Sequence, residues 1–452
     1  MRRCSGTAAV GLLCLVMWGV TPAPGAQAKE DRPVLVCSVA KKMTRPPGAP
    51  KYSDVSMRLF HLRKDRDLIA AGKAFHITRG DWSYIKDADF IKQVRELGWS
   101  FQGTTNAVTR DPDQALKDKG GKPVLDHFKK PGRYWADWKN EKHREWYLAE
   151  LKRWAALGVD SIQRDEPTAI RHWSVSNAAA FFKDMHRRFE KEIGRKVPMS
   201  CNLAWNRSMF GGRGWPIAKL FDFGMAEMNR RDVNPTFLRA AALDARKRGK
   251  FLMYTTYHKL GVPTYRRAIA GCYANGMLFI VPWDQFAGTR SPRVFSRPED
   301  LADVYGFVRA NAALLDGYED AAVAGHGLKE TRYGKTPPLA LAKASQVSSW
   351  VRARPGKQGE PVVVHLVNWG RRSTLTVKVR AAMFFAGAPL RVELRTPAPY
   401  DGKAHATAEQ KRDYSGLSVS RQLTVKPAGE WSVIDVPALD VWGVLLVSPA
   451  GG

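Results

Sequence analysis

GVDSIQRDEP, residues 158–167, decides how this chain is read. The segment before it carries Tyr147, Leu151, Trp154 and Ala155 on one helical face and stops at Gly158, a residue suited to end a helix. A short strand follows and finishes on two adjacent carboxylates, Asp165 and Glu166, before Pro167. If Ile162 faces flanking helices, strand alternation turns Ser161, Gln163 and Asp165 the other way. The proline after Glu166 is expected to twist the strand end, which lets Glu166 swing inward as well. One of the two carboxylates also suits a structural use, as a partner of Arg164 or as a helix cap.

The same strand-then-helix pattern recurs along the chain. Strands are predicted at 74–81, 99–104, 134–138, 160–165, 198–205, 221–228, 251–257 and 277–283. Between two of them, Phe181, Met185, Phe189 and Ile193 form a helical face that ends before Gly194. Eight units of ~30 residues match an α/β fold of the (β/α)₈ TIM-barrel type. An open doubly wound sheet fits less well, because no glycine-rich dinucleotide turn follows the first strand. From about residue 347 the helices stop, and VSSWVRAR, PVVVHLVNWG, STLTVKVR, PLRVELRT and VWGVLLVS read as a smaller antiparallel all-β sandwich. The expected organisation is a signal at 1–28, a lead-in at 29–73, the barrel at 74–318 and the sandwich at 319–452. Trp350, Trp369 and Trp431 of the last domain suit either its core or a sugar platform.

Among 452 residues, 72 Lys and Arg oppose 43 Asp and Glu, a net charge of +29. The excess is spread along the chain rather than gathered in one patch. It favours polyanionic partners such as an acidic or sulfated polysaccharide, and no nucleic-acid module accompanies it. The first 28 residues combine a basic start, an apolar run and small residues around Gln27, as a secretory signal does, so the protein is expected to be secreted or periplasmic. The run is shorter than the ~20 residues a membrane span needs, and no later stretch is long and apolar enough to supply one. Cys37, Cys201 and Cys272 lie beyond the signal with neither disulfide nor metal spacing, and they read as buried thiols. No metal or cofactor is expected, and nothing in the sequence fixes an oligomeric state.

Polar and aromatic residues gather at the predicted strand ends. In chain order these are His76, Arg79, Asp81 and Trp82; Asn106; Asp137 and Trp138; Gln163, Asp165 and Glu166; Asn202 and Trp205; Glu227 and Asn229; Tyr254, Tyr257 and His258; and Trp283 and Asp284. In a barrel this rim is where chemistry sits. Carboxylate pairs cut glycosidic bonds, amides and carboxylates bind hydroxyls, and aromatic faces stack on sugar rings. Asp165 or Glu166 with Glu227 or Asp284 are therefore the candidate catalytic groups, with Asp165 and Glu227 the first pair. His76, Arg79, Asp81, Trp82, Trp138, Gln163, Asn202, Trp205, Tyr254 and Trp283 are the candidate substrate contacts.

GVDSIQRDEP, GMAEMN and FIVPWDQF resemble the strand ends of secreted TIM-barrel glycoside hydrolases, and the domain containing VVVHLVNW is similar to the small β-domains that follow such barrels. The resemblance implies a metal-independent hydrolase acting on a poly- or oligosaccharide. It stops short of one family. The clan with catalytic glutamates on strands four and seven reads Asn-Glu on the fourth, where this chain has Asp165-Glu166, and its predicted seventh strand ends without a carboxylate. The α-galactosidase-like clan places aspartates on strands four and six, which Asp165 and Glu227 match in position but not in residue type. The chitinase-like DxxDxDxE pattern is absent. Two other readings stay open: a non-catalytic glycan-binding barrel, and a lyase or isomerase using His76 or His258 as base.

Overall fold

The computed structural model describes residues 34–45, 48–62, 67–126, 128–167, 174–202, 215–256, 260–283, 296–343 and 346–451. Eight parallel strands form its first sheet: β1 (Ser56–Arg58), β2 (Arg79–Ser83), β3 (Ser100–Thr105), β4 (Ser161–Asp165), β5 (Met199–Asn202), β6 (Phe223–Met228), β7 (Phe251–Thr256) and β8 (Leu278–Phe279). They neighbour one another in that order. Just past β8, Val281 bridges Met57 of β1 in parallel, and its N–H donates to the Ser56 carbonyl at 2.8 Å, so the sheet closes on itself. This is the (β/α)₈ barrel that the sequence pattern predicts.

The helices around it form for local reasons. Asn140 accepts the His143 N–H to cap helix Glu141–Ala156, whose Tyr147, Leu151 and Trp154 are buried against the strands. Ser174 caps helix Val175–Ile193 in the same way, and Gly194, at φ 68°, ends it in the left-handed region a glycine reaches without strain. The strand-to-helix contact is tight enough that side-chain size is fixed at some positions. A Cβ on Gly103 of β3 would lie 2.4 Å from the Trp154 ring. Gly103→Ala is therefore expected to cost ~1–3 kcal/mol through overpacking, read as a lowered melting temperature. An unchanged melting temperature would mean that the indole moves aside freely.

Two strands differ from the sequence-based expectation. Tyr134 and Trp135 lie outside the barrel sheet and pair antiparallel with Val108 and Thr109 in a hairpin inserted after β3. Their apolar residues satisfy the hairpin and its packing, and Trp135 and Ala136 join the main core. The true first strand is Ser56–Arg58, within the segment read as a lead-in. It pairs with β2 through Ser56↔Arg79 and Arg58↔Asp81, and three residues are too few to display alternation.

From Glu319 the chain is mainly antiparallel strand. A six-stranded sheet runs in the order Glu319–Gly325, Val347–Ala353, Val362–Asn368, Trp442–Pro449, Leu390–Pro397 and Ser418–Leu423. A four-stranded sheet runs Leu339–Ala342, Ser373–Val379, Trp431–Leu439 and Val425–Ala428. Their apolar faces, including Val351, Val364, Val377 and Ile434, share one core. Trp350 is fully buried in the main core, Trp442 stacks on Tyr273 and meets Phe307 edge-on, and Trp369 donates to the Ser348 hydroxyl. A partly buried ionic contact accompanies these: Asp320 pairs with Arg239 at 2.5 Å and Arg246 at 3.4 Å, while Tyr52 donates to Glu319 at 2.8 Å. Cys37, Cys201 and Cys272 are free and buried. No helix among the described residues is long and apolar enough to cross a membrane.

Candidate active site

The interior of the barrel is polar in layers. At the lower level Arg79 grips Asp81 with two bonds of 2.7 and 2.8 Å, and the Ser56 hydroxyl donates to the same carboxylate. Above them the Gln102 amide donates to the Ser161 and Ser200 hydroxyls, Ser200 donates to Gln163, and the Gln102 oxygen accepts the Trp82 N–H. These side chains form the floor on which the mouth is built.

Asp165 sits at the upper end of β4, 7% exposed. Its register with Asn202 on β5 brings the Asn202 amide to one carboxylate oxygen at 3.2 Å. The other oxygen accepts from the Tyr84 hydroxyl at 2.9 Å and from the Asn106 amide at 3.4 Å. Asn106 also donates to the Tyr84 oxygen at 3.1 Å, so the donors are themselves oriented. Burial, together with the charge on Asp165, raises the Tyr84 phenol well above its ordinary range, and it stays a donor. Burial also pushes Asp165 upward, against the pull of Tyr84, Asn202, Arg58 and Arg164. Arg164 faces the other way, as alternation requires. It lies over the Tyr147 and Phe182 rings and donates to the Asn106 carbonyl.

Glu166 adopts φ 48°, a conformation costing a non-glycine residue roughly 1–3 kcal/mol. Burial pushes its carboxyl up to about 9, reinforced by the charges of Asp165, Glu227 and Asp126 and opposed by Arg133. Those neighbours come from β4, β6 and the inserted hairpin. Asp126 is anchored by the Arg133 guanidinium at 2.7 Å. Glu227 pairs across to Thr255 in register, and its carboxylate lies 3.7 Å from Arg58 of β1. Trp82, also left-handed at φ 54°, places its ring 3.9 Å beneath the Arg58 guanidinium. Two strained non-glycine residues at one strand-end cluster fit a site where geometry is held against local preference.

Of the residues singled out from the sequence, Asp165, Glu166, Glu227, Asn202 and Trp82 meet here, with Gln163 in the floor and Trp283 half-buried just past β8. Others lie elsewhere. His76 precedes β2 at the opposite end of the barrel, bonded to Glu409 at 3.1 Å and His405 at 2.7 Å, so it offers no base to the mouth. Arg79 and Asp81 are spent on each other one layer down. Trp138 stacks on Phe181 at 5.4 Å under the helices, and Tyr254 faces Phe237 on the outer side of β7. Trp205, Tyr257, His258 and Asp284 lie outside the described residues. Arg58, Tyr84, Asp126 and Arg133 escaped the sequence reading. Tyr84 alone had a local signal, two residues beyond Trp82 in DWSY.

The class the fold defines is a closed (β/α)₈ barrel, with several carboxylates in unlike environments at its C-terminal mouth. No protein-family model and no curated protein matches the chain. Among solved structures it is similar to the maltogenic alpha-amylase AmyB from Thermotoga neapolitana, at TM-score 0.49 and 11% identity over 88% of this chain and 91% of that one. It is also similar to alpha-L-fucosidase isoenzyme 2 from Paenibacillus thiaminolyticus, at TM-score 0.43 and 10% identity over 89% and 100%. Aspergillus fumigatus Ega3, solved in complex with galactosamine, gives TM-score 0.38 and 14% identity over 53% and 96%. Likenesses this distant carry no argument about activity, which rests on the side chains described above. Among the described residues no group of three or more His, Cys, Asp or Glu is arranged to hold a metal ion.

Proposed function

We propose that the protein is a glycoside hydrolase acting on a poly- or oligosaccharide. The observation that carries this reading is the split between two neighbouring carboxyl groups. Asp165 receives hydrogen bonds from Tyr84, Asn106 and Asn202, all aimed at a carboxylate. Glu166 is held protonated at neutral pH by burial and by the charges around it. Glycosidic cleavage needs these two states together: a carboxyl that protonates the leaving oxygen, and a carboxylate on the other side of the anomeric carbon. Glu227 faces the same space and completes the acid set. Trp283, half-buried just past β8, supplies aromatic surface at the same end of the barrel.

The signal-like sequence of the first 28 residues supports action outside the cytoplasm, and the net charge of +29 supports an anionic polymer as the larger substrate. The test is a panel of neutral, acidic and amino-sugar polysaccharides assayed for new reducing ends. Release from at least one of them is expected. Binding without release, unaltered by Asp165→Asn or Glu227→Gln, would make the barrel a glycan-binding module instead.

A further inference from the structure

His76 stands where a helix commonly ends on glycine. The helix Leu68–Ala74 closes with the His76 N–H donating to the Lys73 carbonyl at 3.0 Å and the Ile77 N–H to the Gly72 carbonyl at 3.1 Å. His76 itself adopts φ 57°, in the left-handed region such a cap requires. Its buried ring meets the helix Gly402–Lys411, on which His405 and Glu409, four residues apart, share a face. Nδ1 of His76 lies 3.1 Å from the Glu409 carboxylate, and Nε2 lies 2.7 Å from Nδ1 of His405. The two imidazoles stack at 4.9 Å. Tyr414 meets His76 edge-on and donates to Glu409 at 2.9 Å, and the Tyr400 ring lies 4.8 Å from His405.

These contacts fix where the hydrogens sit. An ionised carboxylate only accepts, so Nδ1 of His76 donates to Glu409. The 2.7 Å contact between the rings holds a single hydrogen and needs a lone pair on one of its two nitrogens. With both rings neutral, Nδ1 of His405 donates to Nε2 of His76. One added proton is tolerated, because His76 then donates and Nδ1 of His405 accepts. A second leaves no acceptor and sets two cations face to face. We propose that His76, His405 and Glu409 form an acid-sensitive latch, which fastens the helix Gly402–Lys411 to the foot of the barrel and releases it once both imidazoles carry a charge. The latch is independent of the hydrolase reading.

The surroundings oppose the second proton. Burial, and then His76, push His405 down to about 4, against the pull of Asp303 and Asp401. Asp303, from the helix Pro298–Ala310, is already gripped by Arg266 at 2.7 and 2.6 Å. That helix packs so closely that a Cβ on Gly306 would lie 3.1 Å from the His405 ring. It also brings Arg309 to 4.7 Å over the Tyr414 ring, while its Glu299 and Asp300 are engaged by Arg297. Lys403 and Lys411 are exposed, as is Lys73 of the helix Leu68–Ala74. Against its burial, Glu409 is held below its ordinary range by His76, Tyr414 and Arg412. The unfolded chain takes up the His405 proton from about pH 6.5 downward and the folded one only near 4, so acid favours release across this window.

The test is amide hydrogen exchange of the full chain at pH 7 and pH 5, corrected for intrinsic rates, on wild type and His405→Gln. Glutamine keeps an amide for the His76 ring and does not titrate. Opening of residues 402–411 in wild type, relative to the variant, should increase by about tenfold or more on going to pH 5, while the protection of β4 stays constant. Equal pH dependence in the two proteins would overturn the latch, and so would a loss of protection spread evenly over the barrel. If His405→Gln fails to fold, wild type decides alone through the His405 ring, followed by NMR. Its midpoint should lie well below 6.5, with the protection of residues 402–411 falling over the same range. A midpoint at or above 6.5, or protection that holds while the ring titrates, would overturn the proposal.

Discussion

Asp165→Asn is expected to lower kcat by about 10³-fold or more while leaving the protein folded. The carboxylate accepts from three side chains at the mouth, and an amide cannot attack a sugar or take a proton from water. The fold has little to lose. Tyr84 can still donate to the amide oxygen, and Asn202 can turn its own oxygen toward the new N–H groups. The substitution also removes a buried charge that burial opposes. The melting temperature should therefore hold or rise as activity disappears. Activity at wild-type level with a folded Asp165→Asn variant would sink the assignment of Asp165, and with it the pairing on which the hydrolase reading rests.

Glu166→Gln is the second large effect, and it has a signature in pH. The ordinary value for such a carboxyl is 4.5, and in the folded protein it is pushed up to about 9. Between these limits the folded state binds a proton that the unfolded state has released, so this group makes stability fall as pH rises from about 4.5 to about 9. Glutamine does not titrate, so the variant should lack that slope. Its melting temperature relative to wild type should be least favourable at pH 4 and most favourable at pH 9. On substrates with a poor leaving group the variant should lose about 10²–10⁴-fold in kcat, whereas an activated aryl glycoside, which needs no proton, should lose far less. Equal losses on both substrates would show that the proton comes from elsewhere, with Glu227 the next candidate. In wild type, kcat/KM should decline as pH passes about 9, where the donor is emptied.

Much of this was legible in the chain because one strand obeyed a period of two. Ile162 and Arg164 face the helices, and Ser161, Gln163 and Asp165 face the axis, as alternation within residues 161–165 required. The proline behind Glu166 was a visible signal for an irregular strand end, and Glu166 adopts φ 48° there. What the sequence hid has physical causes. A strand end carries side chains to both faces, so an aromatic residue there is as ready to fill the helix layer as the mouth. Trp138 and Tyr254 went to the helices. β1 is three residues long and has no period to detect, so Arg58 stayed unseen. The hairpin imitates a barrel strand in composition, because Tyr134 and Trp135 need the same apolar cover in either place. His76 could not be placed without knowing that the later helix Gly402–Lys411 brings His405 and Glu409 beneath the barrel.

The closure of the sheet through Met57 and Val281 bears on how the chain is made. Ser56–Arg58 leaves the ribosome early, and β2 follows soon enough to occupy one of its edges. The other edge waits for Val281, which emerges only after all eight barrel strands have been translated. Until then the nascent protein is an open parallel sheet with two unsatisfied margins, the kind of species that pairs with its neighbours. A ribosome stalled before residue 281 therefore presents an aggregation hazard, and a chain released there lacks the bridge that closes the sheet beside β1. Synthesis of this molecule is safest where passage through that last stretch is fast, or where a chaperone covers the open margins until the first strand finds the last.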